Sequence, residues 1–330
     1  MLFASGEWPA SAWTGERVAV AGGSPRQFAN ALADVKPRER CDFLFSLERV
    51  WKCDAYRAGD GVHAAWLARR ALFEPAWRGF FRRFSGKHRD LLEIERALFS
   101  PGGAGLVIAN SKWIQREIEQ HFEFPPERIH VVYNGVPAFA PPPKARAEMR
   151  AELGLSADDY VLLFAGSGWE RKGLRFAIDA VNATTGPRPT LLVAGRGRAE
   201  KMPGSLRVRF LGSVEKMPRV LAAADAFLLP TLYEPFSNAC LEALAAGLPV
   251  LTTKHNGFAE IIERGIEGEV FPDPRDTAAL AAGIDRWADA ARRAEVRPRL
   301  LEKAARFTIG ENVRSTLVIL EKARETARTA

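Results

Sequence analysis

The sequence of 330 residues has only three cysteines and no long apolar run. Cys41, Cys53 and Cys240 are scattered along the chain, so their spacing supports neither a disulfide framework nor a zinc site. No stretch approaches the roughly 18 apolar residues of a membrane-spanning helix. Residues 1–16 lack a basic start followed by an apolar stretch, which argues against a signal peptide. We therefore expect a cytoplasmic protein without a metal or redox centre.

The composition is that of a folded globular protein. Hydrophobic residues make up 47% of the chain and charged residues 26%, and the length is sufficient for two domains. The chain has 47 Lys and Arg residues and 40 Asp and Glu residues, so the net charge is +7. This excess indicates an anionic partner and leaves open whether it is nucleic acid, a nucleotide or a membrane surface.

Short apolar runs alternate with segments of helical period, which is typical of parallel strands joined by helices. The predicted strands of the second half are 160–165, 190–194, 208–211, 226–229, 249–253 and 269–271, with helices at 174–181 and 214–223. In the first half, strands are expected at 17–21, 42–46, 55–57, 106–109 and 130–133, and a long helical region at 62–99.

The domain boundary is predicted from prolines. Residues 137–144 (PAFAPPPK) cannot continue a helix or a central strand and mark a linker. We therefore predict an α/β fold of two domains, 1–137 and 138–310, with a C-terminal helix at 311–330 that packs back on the first domain.

The most specific motif lies in residues 230–251, PTLYEPFSNACLEALAAGLPVL. After the predicted strand, a loop carries Glu234, and the next helix carries Glu242 and ends at Gly247. The exposed amides of a helix N-terminus suit a phosphate, and carboxylates accept hydrogen bonds from sugar or ribose hydroxyls. Either glutamate alone would be an ordinary surface charge, but the combination indicates a sugar-nucleotide site.

This segment resembles the Glu-x7-Glu motif of retaining, NDP-sugar-dependent glycosyltransferases of the GT-B fold, family 4. Other segments stand where that family places matching pieces, namely Ala223-Ala224-Asp225, Asn134-Gly135-Val136 and Gly257-Phe258-Ala259-Glu260. The resemblance extends over about residues 42–290 and is strongest to the lipopolysaccharide core glucosyltransferases. It implies two Rossmann-like doubly wound domains facing a cleft. It also implies a hexosyltransferase that moves a hexose from an NDP-sugar, of the UDP-glucose type, to a cell-envelope acceptor such as lipopolysaccharide core.

Two adjacent cations, Arg171 and Lys172, stand between a predicted strand and a helix in GSGWERKG, residues 166–173. Such a pair can neutralise a diphosphate leaving group, although it is also common on solvated surfaces. The resemblance implies that these cations stabilise the departing diphosphate and that no metal is required. It further implies that Glu242 holds the ribose and Glu234 the sugar. The remaining donor-binding residues implied are Phe236, Ser237, Asn238, Ala239, Gly166 and Arg196.

The turn Gly195-Arg196-Gly197-Arg198 also follows a predicted strand but does not predict NAD binding. The third glycine of a dinucleotide fingerprint is missing, because Glu200 stands in its place. The cations of this turn, including Lys201, lie either beside the nucleotide or in a plain surface loop.

In the first domain, residues 56–63 (YRAGDGVH) end a strand and enter a helix. The resemblance implies that Asp60 binds the acceptor or accepts its proton, and that His63 contacts the transferred sugar. A capping aspartate beside a structural histidine is the alternative. The other histidines form no ligand spacing and are expected to be structural or surface residues, namely His88, His121, His130 and His255.

The basic excess is concentrated in residues 69–90, where seven Lys and Arg face two acidic residues and alternate with aromatics. This pattern favours peripheral contact with an anionic membrane surface. A core-facing aromatic stripe is the alternative, and nucleic acid is the weakest candidate because no binding module is visible. The resemblance implies a glycolipid or lipopolysaccharide acceptor at the inner face of the inner membrane.

The sequence departs from the family pattern at its beginning. Family members start with a strand, a glycine-containing loop and a helix, which have no counterpart here. We therefore expect the first domain to lack its first β-α-β unit, about 30 residues, with an exposed edge strand and reduced turnover. The alternative function is that of a truncated, non-catalytic sugar-nucleotide-binding homologue.

Overall fold

In the computed structural model, residues 1–5, 13–75, 85–198, 202 and 205–329 are described. The chain divides into two units, one of residues 1–132 with 314–330 and the other of residues 133–313. Residues 137–144 form neither helix nor strand and lie inside the second unit. The division therefore precedes the boundary expected from the prolines.

The first unit contains two parallel sheets. The smaller sheet pairs β1 (Leu2–Ala4) with β2 (Arg17–Ala19). The larger sheet has the order β3 (Phe45–Ser46), β4 (Cys53–Ala58), β5 (Ala104–Ala109) and β6 (Ile129–Val131). Its helices are α1 (Pro25–Asp34), α2 (His63–Ala71), α3 (Gly86–Phe99) and α4 (Lys112–Phe122), with 3-10 helices at Pro37–Glu39 and Pro126–Arg128. Strand β1 was not predicted from the sequence.

The helical region predicted at 62–99 contains two described helices, α2 and α3, with a break after α2. Helix α2 ends at Ala71, residues 72–74 turn, and Pro75 cannot continue a helix. Helix α3 begins at Gly86. Residues 76–84, which carry half of the arginines and most of the aromatics of the segment 69–90, lie outside the described residues, so the membrane contact stays a prediction.

The second unit is built on one sheet of six parallel strands in the order β12-β11-β10-β7-β8-β9. The strands are β7 (Val161–Ala165), β8 (Thr190–Ala194), β9 (Val208–Gly212), β10 (Ala226–Leu229), β11 (Val250–Thr253) and β12 (Gly268–Phe271). Each agrees with its predicted bounds to within one residue. The strand order reverses between β7 and β10, and ligands of open α/β sheets bind at the carboxyl ends beside such a point.

Helices cover this sheet, which accounts for its continuous apolar strands. They are α5 (Ala145–Glu152), α6 (Trp169–Lys172), α7 (Leu174–Ala183), α8 (Met217–Ala223), α9 (Asn238–Ala245), α10 (Thr277–Arg286) and α11 (Ala290–Ala304), with a 3-10 helix at Gly257–Glu260. The central strands carry side chains with no exposure to solvent, among them Leu163 and Phe227. This core fixes the strand ends from which the candidate site is built.

The last helix, α12 (Ile309–Thr329), contributes to the first unit from residue 314 onward. Its residues Ile319, Leu320 and Ala323 pack against the core of the four-stranded sheet. That core includes Ala55 on β4 and Ile108 on β5. The helix therefore covers an apolar face of the first unit.

Candidate functional site

Three charged residues predicted from the sequence meet at the carboxyl edge of the second sheet. Glu234 lies in the loop after β10 and is only 8% exposed. Its Oε2 accepts hydrogen bonds from Arg171 Nη1 at 3.0 Å and from Lys172 Nζ at 2.9 Å. Two charge-assisted hydrogen bonds on one oxygen fix the positions of both cations.

Glycines bring the cations to this position. Gly173 has φ +76°, and a Cβ there would stand 1.9 Å from the carbonyl oxygen of Pro230. A Cβ on Gly166 would lie 2.7 Å from the Cδ and Cε atoms of Lys172. Leu232 N also donates to the carbonyl oxygen of Arg171, at 2.8 Å. The loop after β7 and the loop after β10 are therefore in backbone contact, which only glycine permits.

The N-terminus of α9 is capped by Ser237 and held in place by Asn256, a residue that was not predicted from the sequence. Ser237 Oγ accepts from Cys240 N at 3.2 Å. The fully buried Asn256 accepts on Oδ1 from Ser237 N at 3.2 Å and from Phe258 N at 3.1 Å. Its Nδ2 donates to Thr252 Oγ1 at 3.0 Å. Asn256 thus fixes the helix start, and its only sequence signal is an asparagine before a glycine.

The predicted ribose ligand Glu242 lies on α9 and is half-buried. Burial raises the pKa of its carboxyl group. Among the described residues, no hydrogen-bond or ion-pair partner of this carboxylate is found. The Glu242 carboxylate is therefore partly desolvated without compensation, an arrangement typical of a group that binds a ligand.

The other residues predicted at the start of α9 differ in exposure. Phe236 is buried against the rings of Tyr133 and Phe258. Asn238 is exposed and its Oδ1 accepts from Asn134 Nδ2 at 2.7 Å, whereas Ala239 is half-buried. Phe236 thus has a packing role, whereas Asn238 lies at the surface.

The glycine turn after β8 packs against the loop after β7. A Cβ on Gly195 would stand 2.4 Å from the carbonyl oxygen of Gly166, and one on Gly197 would stand 2.3 Å from the Trp169 ring. Arg196 N donates to Ser167 Oγ at 3.1 Å, and the Arg196 side chain is exposed. These glycines therefore serve close packing, while Arg198 is exposed and Lys201 lies outside the described residues.

In the first unit, His63 opens α2 and a buried glutamate caps that helix. Glu95 has no exposure and accepts from His63 N at 2.7 Å and from Ala64 N at 3.1 Å. Arg49 Nε donates to the same carboxylate at 3.3 Å. Asp60 is exposed and lies 3.6 Å from Arg49 Nη1. A negative charge at free helix amides is favourable, so Glu95 fixes the position of His63.

His88, expected to be a structural or surface residue, is in contact with His63. His63 Nε2 lies 3.1 Å from His88 Nδ1, and the two rings stack with centroids 5.2 Å apart. Burial, together with the charges of Arg49, His88 and Lys87, lowers the pKa of His63 to about 4. His63 is therefore neutral at physiological pH.

Replacement of His63 by glutamine is expected to flatten the acid dependence of stability. Between its ordinary pKa of 6.5 and its folded pKa of about 4, the unfolded chain binds a proton at His63 that the folded chain excludes. The free energy of unfolding of the wild type therefore falls as the pH is lowered through this window. Urea unfolding at pH 7 and about pH 4.5 measures the difference.

The matched control for this experiment is His121→Gln, since His121 is exposed and its replacement is expected to leave the wild-type pH dependence intact. If His63→Gln and the wild type lose the same stability on acidification, His63 is not held neutral by the fold.

The described residues form neither a candidate metal site nor a membrane-spanning helix. Within the described ranges, no three His, Cys, Asp or Glu side chains come together as a possible metal site. In the same part of the chain, no helix is both long and apolar enough to cross a membrane.

The fold corresponds to that of the GT-B glycosyltransferases. The crystal structure of WaaG, a glycosyltransferase involved in lipopolysaccharide biosynthesis, superimposes with a TM-score of 0.75 at 22% identity, over 96% of this chain and 89% of that chain. Residues 159–289 match the model "Glycosyl transferases group 1" and residues 55–138 match "Glycosyltransferase Family 4". Residues 55–138 and 159–289 thus match the family 4 and group 1 domains of glycosyltransferases, which confirms the resemblance drawn from the Glu234 motif.

The names of two similar proteins mention lipopolysaccharide or UDP-glucose. The lipopolysaccharide glucosyltransferase WaaG of Escherichia coli K12 is 29% identical over 248 residues, which are 71% of this chain and 64% of that protein. Anabaena Alr3699/HepE in complex with UDP-glucose has a TM-score of 0.62 at 21% identity and covers 95% of this chain and 86% of its own. The matches span from half to just under two thirds of the first curated relatives, 50%, 64% and 56% of their lengths.

Proposed function

We propose that this protein is a retaining glycosyltransferase. It transfers a hexose from an NDP-sugar, of the UDP-glucose type, to a cell-envelope acceptor such as lipopolysaccharide core. The observation that carries the proposal is the pairing of Glu234 with Arg171 and Lys172 at the carboxyl edge of the sheet. The names of the WaaG and HepE relatives support the donor and acceptor classes.

The leaving group requires positive charge where the bond to the anomeric carbon breaks. Lys172 and Arg171 place an ammonium and a guanidinium at one point, and both are partly shielded from solvent, with exposures of 13% and 33%. Together with the N-terminal dipole of α9, they stabilise the diphosphate as it departs. In this mechanism cations replace a metal ion.

The two glutamates bind hydroxyl groups. Only Oε2 of Glu234 is engaged by the cations, and Oε1 accepts no hydrogen bond from any described residue. This oxygen is available to a sugar hydroxyl while its neighbour stays anchored. The half-buried Glu242 carboxylate binds the ribose, whose two hydroxyls supply the donors it lacks.

The acceptor side is assigned to the first unit. Asp60 is an exposed carboxylate next to Arg49 and is proposed to bind the acceptor or to take up its proton. His63 is proposed to contact the transferred sugar as a neutral imidazole, because its pKa lies near 4. A neutral ring accepts or donates a hydrogen bond without placing a positive charge beside the sugar.

A peripheral contact with the inner face of the inner membrane is proposed for residues 69–90. In its described part, the Arg69 guanidinium lies over the Phe73 ring at 5.1 Å. The Arg70 guanidinium lies over Trp66 at 5.8 Å and pairs with Glu74. Aromatic bodies with basic heads suit an anionic lipid surface.

Thermal unfolding with a panel of UDP-, GDP- and ADP-sugars tests the donor site. At a donor concentration a hundredfold above Kd, binding to the folded state is expected to stabilise it by about 2.7 kcal/mol, which raises Tm by several degrees. Glu242→Gln is expected to abolish most of this shift, because it removes the carboxylate that receives the ribose hydroxyls. The matched control Glu215→Gln alters an exposed glutamate and is expected to retain the shift.

The outcomes separate the candidate functions. A Tm that responds to none of these sugar nucleotides contradicts the donor site. A shift without sugar transfer supports the alternative of a non-catalytic sugar-nucleotide-binding homologue.

A further inference from the structure

A cavity of about 530 Å³ lies at the amino edge of the six-stranded sheet. Asp225, which directly precedes β10, and Leu248, which lies shortly before β11, are on its wall. Glu234 follows the opposite end of β10, a strand of four residues, or about 13 Å. The cavity is therefore separate from the donor site, although both are built on the same strand.

Among the described residues that line this cavity, four are cations, namely Lys144, Arg146, Arg293 and Arg297, and Asp225 alone is acidic. The Asp225 carboxylate is already held by Arg146 Nη2 at 2.6 Å and by Arg150 Nη2 at 2.8 Å. It also accepts from the backbone amide of Val161 at 2.8 Å. One carboxylate cannot neutralise the five cations around it.

Carbonyl groups at helix ends offset a further part of this charge. Arg297 Nη1 donates to the carbonyl oxygen of Ala246 at 2.8 Å, at the end of α9. Arg146 binds carbonyls at the end of α8, and Arg293 binds carbonyls that follow α10. Each helix end supplies about half a negative charge, so a surplus of about two positive charges remains.

Some hydrogen-bond donors of the cavity have no acceptor among the described residues. The Lys144 ammonium and the Nε and Nη2 groups of Arg297 contact no acceptor within the described residues. Burial and the charge of Arg146 lower the pKa of Arg297, which means that its charged form would gain from a nearby anion. Apolar side chains, including Phe139, Pro141 and Leu248, form another part of the wall.

We propose that this cavity binds the phosphate monoester of a small organic molecule. The phosphate lies between Lys144 and Arg297, and the organic part packs against Phe139 and Pro141. A phosphate dianion matches the surplus of about two charges, and the cavity volume is within the range of small-molecule sites. The proposal goes beyond sugar transfer and does not depend on it.

Calorimetric titration of the full chain with phenyl phosphate, in the presence of saturating UDP, tests this site. We expect binding with one phenyl phosphate per chain, and weaker binding of inorganic phosphate, which lacks the apolar part. The double variant K144Q/R297Q is expected to bind at least tenfold more weakly, because two charge-assisted hydrogen bonds are lost. The single variant Lys144→Gln, in which no recorded contact is lost, is expected to bind about threefold more weakly.

The matched control R188Q/K216Q removes two exposed cations elsewhere on the second unit and is expected to bind like the wild type. Equal affinity of the wild type and K144Q/R297Q would overturn the proposal, as would the absence of binding to the wild type. The same titration without UDP keeps this test independent of the donor site. If UDP itself does not bind, the proposed transferase function fails while the phosphate result stands.

Discussion

Replacement of Lys172 by alanine is expected to lower kcat for sugar transfer by about a thousandfold. Its ammonium is largely buried and bound to Glu234 Oε2 at 2.9 Å, so it is held in place before the reaction begins. A fixed charge directed at a departing anion contributes mainly in the transition state, and loss of one such donor costs roughly 100-fold to 1000-fold. Initial rates over a range of donor concentrations give kcat and KM separately.

Arg175→Ala is the matched control for this experiment. Arg175 lies on α7, its side chain is 74% exposed, and its guanidinium lies 3.9 Å from the Asp179 carboxylate. Its replacement removes a cation from the adjoining helix without disturbing the Glu234 cluster, and we expect less than a twofold change. If Lys172→Ala raises KM and leaves kcat intact, Lys172 holds the bound donor but does not stabilise the leaving group.

Replacement of Gly173 by alanine is expected to destabilise the fold by more than about 3 kcal/mol. The left-handed backbone alone costs an alanine about 1 kcal/mol. The new Cβ would in addition stand 1.9 Å from the carbonyl oxygen of Pro230, which belongs to the backbone at the end of β10 and cannot move cheaply. Urea unfolding of the variant measures the loss.

Gly154→Ala separates the two contributions. Gly154 has a similar φ of +59°, but a Cβ there meets no atom within 4 Å. It carries the conformational cost without the steric clash, so a loss of about 1 kcal/mol is expected. Equal losses in the two variants would show that the loops after β7 and β10 can separate at low cost.

The strands of the second unit could be predicted well because each is marked by the residues within the strand itself. Parallel strands buried on both faces are continuous apolar runs, and each of the six was predicted close to its observed bounds. The helix that carries Glu242 could be located from Ser237 at its start and Gly247 at its end. The convergence of Glu234 with Lys172 followed from the resemblance, since 62 residues separate them.

The parts that could not be predicted depend on pairing between distant residues. Glu95 caps α2 from a position 32 residues further along the chain, and no local pattern reveals which helix a buried glutamate will meet. His63 contacts His88, which lies 25 residues further along the chain, and the helical periodicity of the sequence does not predict this contact. Asn256 Oδ1 accepts a hydrogen bond from Ser237 N. The two residues follow β10 and β11, so they meet only because these strands are neighbours in the folded sheet.

The hydrogen bonds of Glu234 also have a consequence for turnover. In the proposed mechanism the Glu234 carboxylate stays bound to Arg171 and Lys172, so part of their positive charge is already neutralised when the nucleotide binds. This partial neutralisation is expected to weaken the affinity for the product nucleotide as well as for the donor. We therefore expect Glu234 to favour rapid release of the spent nucleotide and to limit product inhibition.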